Sequence, residues 1–164
     1  MVSKELKSWL AIIFFGFCLV IIQSVWLSRL SFLSSFPNLI LILIVLTGIF
    51  KGPFWGSFAG GSLGLVLGLL DQHFFLTFSL WLCCGLIFGL LKSNIFSDQR
   101  FLSALACFFG TWLSYFLYWG LSALFLKEAY YTPLETPLYG SLLNSLCAYL
   151  LYPLFARILT LNDS

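Results

Sequence analysis

The residues able to do chemistry in this chain are few and lie far apart. There is one histidine, His73, two positions after Asp71, and there are five cysteines, Cys18, Cys83, Cys84, Cys107 and Cys147. Within the long apolar stretches the other notable polar residues are Gln23, Asn38, Thr47 and Asn144. Asp-x-His could begin a metal or proton site, but two donors fall short of the four that a zinc ion takes. A solvated carboxylate at a helix end, touching a neighbouring loop, is the better reading of Asp71. A lone histidine excludes any two-histidine metal motif, and no phosphate-binding loop or dinucleotide fingerprint occurs. The cysteines are odd in number and lack metal-site spacing, which suits small apolar packing residues rather than a redox device. Serines are frequent, yet no base within the apolar stretches stands ready to activate one. The expectation is therefore no enzyme, no metal and no cofactor.

The elements that must position these residues follow from the charges. Only 9% of the 164 residues are charged and 61% are hydrophobic, with 19 phenylalanines, whereas a soluble domain carries about 25% charge. Such a chain cannot build a water-facing skin, which excludes a soluble enzyme, a nucleic-acid binder and a disordered regulator. Cutting at the charges leaves six uncharged intervals of 21, 21, 19, 20, 26 and 21 residues. About 20 apolar residues in a helix cross a lipid bilayer's hydrocarbon core, so the chain is expected to be all-α, a single transmembrane domain over residues 1–164. Its six spans are expected at about 9–28, 31–50, 53–70, 73–91, 101–126 and 137–156. Membrane-barrel strands would alternate apolar and polar residues, and these intervals do not.

Orientation follows from the basic residues. With both termini cytoplasmic, Lys4, Lys7, Lys51, Lys92, Arg100 and Arg157 lie inside, and only Arg29 and Lys127 lie outside, as the positive-inside rule asks. The first interval is too long for a signal peptide and lacks a small-x-small cleavage site after Ser24-Val25-Trp26, so it reads as a retained anchor. Trp9 and Trp26 bracket it at the two interfaces. The longest connections are Lys92–Arg100 and Lys127–Glu135, too short for a soluble catalytic or binding domain.

Two local patterns stand out. Glycines recur at 52, 56, 60, 64 and 68, giving a ridge without side chains on which another helix backbone can lie close. Ala59, Ser57 and Ser62 keep its flanks small, and Cys84-Gly85 with Gly89 gives the fourth span a second small face. The ridge serves either packing within the bundle or docking of another protein's helix. In the second interval, Pro37-Asn38 suits the start of a helix. From Pro37 to Phe50 are 14 residues, so that helix is short or kinked, either as an interrupted binding-site helix or as a loop that dips in before a proline-started helix.

The run Phe36-Pro37-Asn38-Leu39-Ile40-Leu41, the turn Lys51-Gly52-Pro53 and the glycine helix ending Gly68-Leu69-Leu70-Asp71 resemble the MreD family of rod shape-determining proteins. So do Gln23-Ser24 in the first span, and Asn144 followed by Pro153 in the last. Asn38 stands where an aspartate is common in that family, and residues 92–135 carry no matching signature. The resemblance implies a non-enzymatic component of the bacterial inner membrane that takes part in cell-shape control and peptidoglycan synthesis. It also implies an MreC-like bitopic membrane protein and the cell-wall elongation enzymes as partners, with docking aided by the loop carrying Tyr130 and Tyr131. Gln23, Pro37, Asn38, Asp71 and Asn144 are the polar and turn residues it singles out. The alternative is a small six-helix substrate-binding subunit resembling those of energy-coupling-factor vitamin transporters, with Gln23, Asn38 and Asn144 supplying pocket polarity.

Overall fold

A computed structural model describes residues 2–25, 36–71, 73–91, 100–126 and 133–160. Among them the fold is all-α. The six helices are α1 (Val2–Val25), α2 (Leu39–Lys51), α3 (Pro53–Leu70), α4 (Phe74–Leu90), α5 (Arg100–Phe125) and α6 (Glu135–Thr160). Three of them, α3, α5 and α6, are long and apolar enough to cross a membrane. Trp26, Arg29 and the Tyr130–Tyr131 pair lie outside the described residues.

The main departure from the expected spans is α2. Expected over 31–50, it begins at Leu39 and has 13 residues, a rise of about 20 Å. Pro37 has no N–H and disfavours helix at the residue before it, and Asn38 then caps the first turn. The uncharged interval counted Phe36, Pro37 and Asn38, which precede the helix. At the other ends helices outrun the charges: α1 takes in Lys4 and Lys7, and α6 extends past Arg157.

This short helix is the centre of the molecule. Every residue from Ile40 to Ile49 is buried, and α2 packs against each of the other five helices. A helix that is apolar all round has no face to give to water, so it belongs in the middle. Phe155 of α6, fully buried, meets Phe15 of α1 edge-on at 5.5 Å, and Phe50 of α2 meets Tyr152 at 5.9 Å. Cys84 and Cys107 are buried, and all five cysteines are free thiols. The outside is apolar as well: Phe14, Phe54, Phe75, Phe101 and Phe116 all stand exposed.

The most extensive helix pairing is between α3 and α4. A Cβ on Gly56 would run into the carbonyl of Gly85, one on Gly60 into the carbonyl of Trp81, and one on Gly89 into Pro53. Gly64 and Gly68 lie against Phe78 and Phe74 of the same helix. The two small faces noted in the sequence therefore lie on each other, backbone against backbone. Gly52 is placed differently. It is the one residue between α2 and α3, with φ 96° and ψ −175°. Side chains rarely tolerate that conformation, and Pro53 follows at the first position of α3.

Rigid backbone cannot move aside for a methyl group. Gly85→Ala is therefore expected to destabilise the protein by about 1–3 kcal/mol through overpacking. Gly120, in α5, has nothing within 4 Å of an added Cβ, and Gly120→Ala should gain up to about 1 kcal/mol from helix propensity. Unfolding of the two purified variants in detergent, compared with the parent, checks both signs.

Candidate functional site

The start of α2 is where the chain's scattered polar residues meet. A helix leaves its first N–H groups without partners inside the helix, and here that end lies within an apolar bundle. Asn38 is the N-cap: its Oδ1 accepts from the N–H of Leu41 at 3.0 Å. Its backbone carbonyl accepts from Ile42 at 3.2 Å. Gln23, from α1, accepts the N–H of Ile40 at its Oε1 and donates from Nε2 to Asn38 Oδ1, both at 3.4 Å. The backbone N–H of Asn38 itself donates to Oδ1 of Asn144, from α6. Asn144 Nδ2 donates in turn to Thr111 Oγ1 of α5 at 2.8 Å, and that hydroxyl donates to the carbonyl of Cys107 at 2.8 Å.

One network thus ties α1, α2, α5 and α6 together. Its deepest member is Asn144, 1% exposed, with both ends of its amide engaged. Burying an amide is tolerable only when it is hydrogen-bonded. Three of the residues singled out in the sequence, Gln23, Asn38 and Asn144, belong to this network, and Pro37 sets its entrance. Thr111 was not singled out. Its signal was available as a polar residue in the middle of the fifth interval, but threonine in a helix usually satisfies itself on a preceding carbonyl, and Thr111 also does that.

Beside the network is a cavity of about 300 Å³. Asn38, Thr111 and Asn144 lie at its wall, with aromatic side chains from α4 and α5 around them.

The other candidates lie elsewhere. Asp71 follows α3, and its Oδ2 accepts from Thr77 Oγ1 at 2.6 Å, which closes the α3–α4 turn. No group of three or more metal-ligating side chains occurs among the described residues. Gly52, Gly56, Gly60, Gly64 and Gly68 are all buried, and from Gly56 onward they face α4. Against the expectation that no Gly-x-Ser-x-Gly is present, Gly60-x-Ser62-x-Gly64 has the spacing of a hydrolase nucleophile elbow. That motif needs a sharp strand-to-helix turn. Here it lies within α3, and Ser62 Oγ donates to the carbonyl of Ala59 at 3.1 Å.

No family model matches the chain, and no curated protein or solved structure matches it either.

The network and its surroundings make opposite predictions for two buried polar residues. Asn144→Leu strands the N–H of Asn38 and should cost about 1–3 kcal/mol. The hydroxyl of Thr47, on α2 itself, is buried with no hydrogen-bond partner. Thr47→Val removes that unpaired group at nearly constant shape, so stability should hold or rise by about 1 kcal/mol. Thermal unfolding of both variants in one detergent separates a polar group that is used from one that is not.

Proposed function

We propose that this chain is a membrane-embedded scaffold of the bacterial cell-elongation complex, acting in control of cell shape and peptidoglycan synthesis. In this reading it crosses the inner membrane six times with both termini in the cytoplasm. The basic residues divide six to two between the sides, and the outward-facing phenylalanines suit a lipid solvent better than water. The short α2 then spans only part of the hydrocarbon core, and its start lies at membrane depth. Backbone groups there must be satisfied within the protein, which is the task the Gln23–Asn38–Asn144 network performs.

The single observation that carries the reading is this convergence. Gln23, Asn38 and Asn144 stand out in the sequence both as polar residues in apolar stretches and as positions resembling MreD. They lie 15 and 106 residues apart along the chain, yet they bond to one another or to each other's backbone. The cluster supports the reading because all three of its members also stand at family-like positions.

The partners would be an MreC-like bitopic protein and, through it, the elongation enzymes. With the glycine ridge covered by α4, the docking surface is expected on exposed apolar faces of other helices. Depleting the protein in a rod-shaped host should round the cells and disperse peptidoglycan insertion, and affinity capture of the tagged chain should recover the bitopic partner. Normal rods after full depletion would overturn the reading. Replacing both Gly60 and Gly64 by leucine is expected to lower the amount of folded protein, rather than to remove the partner selectively from protein that still folds.

A second reading, a substrate-binding subunit of a vitamin transporter, is favoured by one observation: the cavity beside Asn38 and Asn144. Loss of uptake of one vitamin on depletion, with cell shape intact, would favour it over the first.

A further inference from the structure

The cavity beside the network has a composition that restricts what could enter it. Its wall carries Trp81 of α4, Tyr115 and Tyr118 of α5 and, before α2, Phe36. Its polar groups are amides and hydroxyls: Asn38, Thr111, Ser114, Thr136 and Asn144. Among the described residues, no lysine, arginine, histidine, aspartate or glutamate lines it. This is the general make-up of a small-molecule site, mostly apolar and aromatic with a few converging polar groups.

Charge is the first restriction. An ion moved into such a wall would lose its water and meet no countercharge, which costs several kcal/mol per ion, so the fitting ligand is neutral. Size is the second. About 300 Å³ is at the small end of the range for small-molecule sites, enough for one substituted ring. Hydrogen-bond polarity is the third. Asn38 uses its carbonyl on Leu41 and Gln23, while its Nδ2 donates to none of the described residues. Asn144 Nδ2 uses one of two hydrogens on Thr111. The two amides therefore offer donors to a ligand oxygen, while Ser114 Oγ, which donates to the carbonyl of Thr111, is left as an acceptor. The rings along the rest of the wall suit a planar body in stacked or edge-on contact.

We infer that the cavity binds one small uncharged ring compound that presents a carbonyl or hydroxyl oxygen to Asn38 and Asn144 and lays its ring against Trp81 and the tyrosines of α5. The inference rests on the cavity alone and holds whether the chain scaffolds a complex or serves transport. That chemistry has two sources, a water-soluble ring amide or alcohol, and the ring head of a molecule dissolved in the membrane.

The test uses the full chain purified in detergent, with thermal unfolding followed against rising concentrations of nicotinamide, pyridoxine and decylubiquinone. Nicotinate, the charged counterpart of nicotinamide, is the control. At least one neutral probe should raise the unfolding midpoint saturably. A response to nicotinamide or pyridoxine points to a soluble ligand, and a response to decylubiquinone alone points to a membrane-borne one. A ring acid should bind at least ~10-fold more weakly than its amide, because its carboxylate finds no countercharge. Ser114→Phe, which fills the cavity from α5, should abolish the shift, and Thr136→Trp does the same from α6 if the first variant folds poorly. No saturable shift with any neutral probe, equal binding of nicotinate, or an undiminished shift in the filled variants overturns the inference. Since binding is read on purified protein and cell shape in cells, failure of one leaves the other standing.

Discussion

Everything in this molecule depends on how the first turn of α2 is satisfied. A helix buried from Ile40 to Ile49 gains from apolar contact on every side, but its N-terminal N–H groups still require acceptors. Asn38 serves the helix from its own cap, Gln23 reaches it from α1, and Asn144 holds the residue before it from α6. Each of these bonds also fixes where a neighbouring helix can be. The bundle is organised around a demand of the backbone, with side-chain packing arranged to fit.

The glycine seam between α3 and α4 complements this. Where the network joins four helices through directed bonds, the seam joins two by letting backbones touch, with carbonyls seated where side chains would be. Directional bonding and close approach specify different things. Hydrogen bonds set register at one level of the bundle, and the seam sets distance along its whole length.

Much of this was legible before any coordinates. Charge spacing marked α3 and α4 to within a residue or two, because charges stand close to their ends. It overstated α2, because Phe36, Pro37 and Asn38 are uncharged yet precede the helix, and only Pro37-Asn38 hinted at the start. The glycine period showed a surface for close contact, and the small residues of α4 named a partner for it, but one-dimensional spacing could not decide between that partner and a foreign helix. The meeting of Gln23, Asn38 and Asn144 was not legible from periodicity, since contacts across 106 residues depend on how helices are arranged in space. Those residues came forward singly, as polar groups in apolar stretches and through family likeness. Thr111 and the cavity wall came forward only with the fold.

The one-residue turn at Gly52 has a mechanical meaning. With no slack between them, α2 and α3 cannot pivot separately, and α3 is held to α4 along the seam. Three helices therefore form one tightly joined block, and α1, α5 and α6 pack around it. Asn144 is their grip on the block: it reaches from α6 to the backbone at the foot of α2. The last helix is thus joined to the block by a directed bond as well as by apolar packing.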